Sequence, residues 1–413
     1  MRALDEPLDQ RDRWLPPGAG EVPLDGVGDR RWNALTDLLF PVLVLKERAL
    51  GHNVDLMARF CREHGVWLAP HGKTTMSPQL VARQLAAGAW GVTAASPAQA
   101  RLFRAFGVDR IVIANQVVDP LGLEWLAAET SGDAGPRVLC LVDSERAVGL
   151  MDEGLAGRGP LPVLVEMGLT GGRTGCRSPA DGVAVAAAVR RSRSLRLAGV
   201  ECFEGVVPEP GERLDGVLRE VRALAEELGR DGAFDGLDEV LVTAGGSAFF
   251  DRVVHHLAGG WDLGRPVRVV LRSGCYLTHD HGSYERLSPF GGRLPEWEPL
   301  RQALEVWGLV HSRPEPDLAI VGFGKRDVSY DMGLPTPLTV RRRDGVTRPA
   351  AGMEVFRLND QHAYLRVPAG DELAVGDAVG CGLAHPCTVF DKWRSIPVVG
   401  DDYRVLSAVR TYF

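Results

Sequence analysis

The stretch "WGVTAASPAQARLFRAFGVDRIVIAN", residues 90–115, holds a short β-branched run, a longer amphipathic segment and a second β-branched run. That succession is the signature of a strand, a crossover helix and a parallel strand. Working outward, the same alternation begins with "VWLAP" at 66 and continues through "RVLCLV" at 137, "PVLVEMG" at 162, "RLAGVECF" at 196, "EVLVTAGG" at 239 and "VRVVLRSG" at 267. Eight parallel strands in about 250 residues predict a TIM-type (β/α)8 barrel. An open doubly wound sheet is the competing α/β architecture, but no GxGxxG follows the first strand, so the barrel is preferred. A leading strand, "PVLVL" at 41–45, precedes the eight. After about residue 290 the chain turns to short apolar runs punctuated by Gly, Pro and Asp, which predicts an antiparallel β domain. The expected division is an arm over 1–40, the barrel over 41–290 and the β domain over 291–413.

Composition narrows the function. The 413 residues are 45% hydrophobic and 24% charged, as in ordinary globular proteins, and the formal charge of −7 without a basic tract argues against a nucleic-acid partner. No apolar run has the length of a membrane helix, and the N-terminus is charged where a signal peptide is apolar, so a cytoplasmic protein is expected. Seven cysteines without CxxC spacing fit free thiols in a reducing compartment.

Of 47 basic side chains only four are lysines: Lys46, Lys73, Lys325 and Lys392. Lys73, in "LAPHGKTTMSPQL" just past the first barrel strand, therefore stands where the default arginine would not serve. What distinguishes lysine is that it can lose its proton and act as an amine nucleophile or base. Barrel active sites lie at the C-terminal strand ends, with phosphate sites in the loops after strands 7 and 8. The seventh loop, "VTAGGSAFF", offers Thr243, Gly245, Gly246 and Ser247, and the eighth, "LRSGCYLTH", offers Ser273, Gly274, Cys275 and Tyr276. Free backbone N–H groups there would cradle an anion. A Schiff-base lysine and a phosphate cradle in one barrel fit pyridoxal 5′-phosphate. His71 beside the lysine, and Arg173 in "VEMGLTGGRTG", complete the candidate cofactor-binding set. Arg173 would take the cofactor's phenolic oxygen or a substrate carboxylate. Glu166, Cys202 and Glu204 bring further polar groups to strands 5 and 6.

In "GLAHPCTVFDKW", His385 and Cys387 are two apart, so an extended segment would turn both to one face. An imidazole and a thiolate suit Zn²⁺, and two protein ligands leave positions for water or substrate. The competing pair is His279 and His281 in "LTHDHGSY", in a loop where His and Asp would also serve to hold their own backbone.

Taken together, "FPVLVL", "PHGKT", "GRTG", "TAGGS", "SGCY", "GFGKRDVSYDMGLP" and "HPCTV" resemble the D-threonine aldolase and D-serine dehydratase family of fold-type III pyridoxal enzymes, amino-acid deaminase-like members included. The resemblance runs from about residue 40 to the C-terminus and joins an alanine-racemase-like barrel to a C-terminal β domain. It implies that Lys73 carries the cofactor, that the 245–247 and 273–276 segments surround it, and that His385 and Cys387 bind the metal. Cys387 looks like the zinc dehydratase branch, the aldolase branch having aspartate there. "KTTM" departs from the family's lysine-threonine-histidine run, and "ECFEG" lacks the histidine that follows its glycine. The implied activity is dehydration of a D-3-hydroxy amino acid such as D-serine or D-threonine to a 2-oxo acid and ammonia. Retro-aldol cleavage to glycine and an aldehyde is the alternative, and a non-enzymatic pyridoxal-phosphate carrier is a third reading. A homodimer is expected by analogy with the fold.

Overall fold

The structure, a computed structural model, describes residues 6–130 and 138–413. Strand β1 (Val42–Lys46) and helix α1 (Glu47–Glu63) lead into eight parallel strands. These are β2 (Trp67–Leu68), β3 (Val92–Ala94), β4 (Ile111–Gln116), β5 (Val138–Val142), β6 (Leu161–Met167), β7 (Leu195–Cys202), β8 (Val240–Ala244) and β9 (Val267–Leu271). They lie in the order β2-β9-β8-β7-β6-β5-β4-β3. The two ends of that row meet: a parallel bridge joins His71 to Thr93, and the Thr93 N–H donates to Pro70 O at 2.9 Å. All eight expected strands are therefore in the barrel, although Arg137, which opens the fourth of those runs, lies outside the described residues.

Both faces of β5, β6 and β8 are buried throughout, which explains why these strands read as continuous apolar runs. On β5, Val138, Cys140 and Val142 join the layer under the helices, while Leu139 and Leu141 point into the barrel with Val112, Leu164, Leu241 and Val270. Alternation with period 2 thus builds two apolar layers from one strand. Within β7, Gly199 has φ +152°, and a Cβ there would sit 1.8 Å from Leu241 O. Only glycine lets β7 approach β8 so closely. Ser96, Ser144 and Ser178 each cap the helix that follows by accepting from the backbone N–H three residues on.

The second sheet has ten strands, from β10 (Leu304–Glu315) to β18 (Val405–Arg410), together with β1. It is antiparallel except that β1, antiparallel to β10, runs parallel to β17 (Ser395–Val399). The N-terminal arm packs onto this domain. Leu8, Trp14 and Val22 are fully buried in its core, Trp14 Nε1 donates to Ser395 Oγ at 2.9 Å, and a bridge joins Asn33 to Arg404. Among the described residues no helix is long and apolar enough to cross a membrane.

Candidate active site

Lys73 sits in a tight turn, Gly72–Thr74, directly after β2. A Cβ on Gly72 would fall 2.4 Å from the Phe103 ring and 2.9 Å from Val92, so only glycine lets this turn press against the barrel. The side chain enters a cavity of about 340 Å³ at the C-terminal ends of the strands. His71, Arg173 and Gly246 of the expected set line it too, as do Asn115, Phe203 and Arg272.

The cavity wall is cationic. Arg173 lies over the Phe203 ring, 4.5 Å from its centroid. Arg272, 4% exposed, is ion-paired with Glu201 and donates to Cys202 O at 2.8 Å. Burial raises the Glu201 carboxyl to about 7 even though Arg272 lies against it. Burial first, and then Lys73, Arg272 and Arg173, push the His71 imidazole well below its ordinary range. His71 is thus neutral, and its buried Nδ1 has no hydrogen-bond partner.

The Gly245 and Gly246 amides, which the sequence offered to an anion, are already engaged. Fully buried Glu204 accepts from Gly245 N–H at 3.0 Å and from Gly246 N–H at 2.6 Å. Thr243 Oγ1 donates to Val270 O and Ser273 Oγ to Gly245 O, so both hydroxyls tie strands and loops together. The backbone N–H groups of Ser247, Gly274 and Cys275 have no acceptor among the described residues. These amides, with the cationic wall and the unpartnered His71 nitrogen, fit an anionic ring-and-phosphate cofactor. Tyr276 is not in this cavity. Its hydroxyl accepts from Gln84 Nε2 at 2.9 Å and it borders a separate cavity of about 500 Å³ shared with Cys61, Trp67 and Leu68. That larger cavity is mostly apolar and does not contain Lys73, so the smaller one is the candidate site.

His385 and Cys387 arrive from the second domain, around the turn Pro386–Thr388. Cys387 Sγ lies 3.4 Å from Thr74 Oγ1, next in sequence to Lys73, and 3.4 Å from Cys275 Sγ. The Cys275 contact, followed by His385 and Thr74, draws the Cys387 thiol well below its ordinary range against the effect of burial, which favours its thiolate form. The same contact and burial push Cys275 well up, so Cys275 is the proton donor of the pair. Burial pulls His385 down, but Cys387 and Asp331 outweigh it and raise the imidazole to about 9. Among the described residues no three His, Cys, Asp or Glu side chains form a group able to hold a metal ion. The imidazole and thiolate pair matches the donor chemistry of zinc with positions left for water or substrate.

The competing histidines flank an aspartate that holds their own loop, and the buried His281 Nδ1 has no hydrogen-bond partner. Asp280 Oδ1 accepts the N–H groups of Gly282, Tyr284 and Glu285, fixing the start of α9 (Ser283–Leu287). Buried His279 is lowered to about 4 by desolvation and then His281. The His281 ring lies against Gly382, where a Cβ would be 2.2 Å from Nδ1.

Sequence reading passed over Arg272 and Glu201 and gave Glu204 no role. A carboxylate and an arginine at adjacent strand ends inside an apolar barrel were the available signal. Asp331 was also missed, because its contact is 54 residues away.

The model of the family described as "Alanine racemase, N-terminal domain" matches residues 45–266, and that described as "Putative serine dehydratase domain" matches residues 303–399. A D-threonine aldolase of Arthrobacter sp is 26% identical over 367 residues, 87% of this chain and 89% of that protein. The crystal structure of D-threonine aldolase from Filomicrobium marinum superposes with a TM-score of 0.75 at 26% identity, covering 91% of this chain and 96% of that one. D-threo-3-hydroxyaspartate dehydratase from Delftia sp. HT23 shares the fold, with a TM-score of 0.72 at 23% identity over 92% of this chain and 99% of its own. With the first family model spanning more than half of the sequence, the chain belongs to the alanine racemase N-terminal domain family, in the D-threonine aldolase and D-serine dehydratase group that joins such a barrel to a β domain.

Proposed function

We propose that the protein is a pyridoxal-phosphate- and metal-dependent lyase that eliminates water from a D-3-hydroxy amino acid, giving a 2-oxo acid and ammonia. The observation that carries this reading is the 3.4 Å approach of Cys387 Sγ to Thr74 Oγ1, the side chain next in sequence to Lys73. Lys73 would hold the cofactor, the Ser247, Gly274 and Cys275 amides its phosphate, and Arg173 and Arg272 its remaining anionic edge or a substrate carboxylate. Bound pyridoxal phosphate would supply an electron sink for the charge left at Cα, and zinc on His385 and Cys387 would supply Lewis acidity at the β-oxygen. The Lys73 amine, once free, is the base for the Cα proton. Neutral His71 beside it adds no positive charge next to that amine.

The second reading is retro-aldol cleavage, favoured by the two D-threonine aldolases that resemble this chain at 26% identity. The match of residues 303–399 to a serine dehydratase domain speaks against a simple cofactor carrier. A homodimer completing the mouth is part of the proposal.

The deciding experiment is product analysis from D-threonine with pyridoxal phosphate, with Zn²⁺ and again after chelation. The expected products are 2-oxobutyrate and ammonia, formed only with metal. Glycine and acetaldehyde would establish the aldol reading, and D-threonine left untouched would turn the search to bulkier D-3-hydroxy amino acids.

A further inference from the structure

An imidazole presents one nitrogen to a metal and must place its proton on the other. His385 Nδ1 lies 2.7 Å from Asp331 Oδ2. An ionised carboxylate only accepts, so the proton of this bond is on Nδ1, and Nε2 is the nitrogen at which a cation would replace a proton. Asp331 is itself held, because Thr388 Oγ1 donates to its other oxygen at 2.8 Å. The two carboxylate oxygens therefore fasten residues on either side of Cys387.

The backbone near this contact is closely packed. A Cβ on Gly333, two residues past Asp331, would lie 3.1 Å from Ala384 Cβ, and one on Gly282 would lie 2.9 Å from the same atom. The residue before His385 is thus pinned between the Asp331 loop and the loop that follows β9. A side chain larger than hydrogen at either glycine would press on Ala384, the residue before His385.

We propose that Asp331 is the positioning residue of the metal site, fixing the tautomer and direction of His385 so that its Nε2 and the Cys387 sulfur face one ion. The inference rests on the metal reading above. Outer partners of this kind are worth about 10–100-fold in metal affinity. Asp331 acts on the ion through the two residues it holds, His385 and Thr388.

The test measures zinc affinity of the purified full chain by competition with a chromophoric chelator, and the thiolate-to-metal absorption after Co²⁺ loading. Asp331→Ala should weaken zinc by about 10–100-fold. Asp331→Asn, whose amide oxygen can still accept from Nδ1–H without charge, should lose less. Asp391→Asn, an exposed carboxylate paired with Lys392, should match the parent. Imidazole ¹⁵N spectra of the metal-free protein, recorded at a pH high enough for the ring to have given up one of its two protons, supply a second readout, with the remaining proton of His385 on Nδ1 in the parent and that preference lost in Asp331→Ala. Zinc affinity unchanged in Asp331→Ala but weakened in Cys387→Ala would overturn the role of Asp331 alone. Zinc affinity unchanged in Cys387→Ala would overturn the metal reading, and this inference with it. A parent His385 carrying its proton on Nε2 would overturn the inference whatever the affinities.

Discussion

The Lys73 cavity and the His385–Cys387 cluster meet at Thr74, yet they are built on opposite principles. The cavity collects cations, with Lys73, Arg173 and Arg272 around a neutral His71, and its walls are the ends of barrel strands already fixed by ladder hydrogen bonds and apolar packing. The cluster centres on the Cys387 sulfur, and its groups come from separate segments: Thr74, Cys275, Asp331 and the 385–388 turn. Those groups are registered by side-chain hydrogen bonds across the junction of two domains. A barrel supplies position through its backbone, whereas an interdomain site must obtain it from side chains. Substitutions should therefore act locally in the first region and cooperatively in the second.

The largest effect is expected at Lys73. Lys73→Arg keeps the charge but cannot act as an amine base, and turnover should fall by about 10²–10⁴-fold or more. The variant should stay folded by circular dichroism and lack the cofactor's visible absorption. A coloured, active Lys73→Arg protein would remove the cavity's claim to the chemistry. Next comes Cys387→Ser, which exchanges a soft thiolate for a hydroxyl. Zinc should bind at least about 100-fold more weakly while the cofactor's absorption is retained, a split that separates the two regions in one protein.

Glu204 tests how strongly the barrel mouth is fixed by its own atoms. Glu204→Gln removes the charge that draws in the Gly245 and Gly246 amides, and should lower stability by about 2 kcal/mol, read as a lower urea midpoint. No change would mean that the loop holds its shape without this carboxylate. The smallest effect concerns pH. Glu201 titrates near 7 when folded against an ordinary value of 4.5. The folded state thus holds a proton that the unfolded chain has lost, so this group's contribution is full below pH 4.5 and fades as pH rises to about 7. Melting temperatures across that window should fall less steeply in Glu201→Gln than in the parent, and an identical slope would assign the dependence to another group.

The mouth of the barrel was largely legible in the sequence, because strand ends and βα loops are local features. Lys73, Arg173 and Gly246 could be placed there from spacing alone. The reading of Gly245 and Gly246 as a free cradle did not anticipate Glu204, which approaches from the neighbouring strand, about 40 residues earlier. Tyr276 shows the same limit. Its place in the eighth loop was readable, but a short turn at Cys275–Leu277 directs the ring to Gln84 and away from Lys73. For the cluster, HxC spacing gave two donors, but spacing carries no information about the Asp331 carboxylate or the Cys275 thiol.

What the sequence determined by itself was the run of eight parallel strands, the change to antiparallel strands after them and the singular lysine, because hydrophobic period and residue choice are written locally. The tertiary structure decided which polar groups are left without partners. Whether an amide, an imidazole nitrogen or a thiolate is available depends on neighbours tens to hundreds of residues away in the chain, and burial, which turns that choice into energy, exists only once the two domains close on one another.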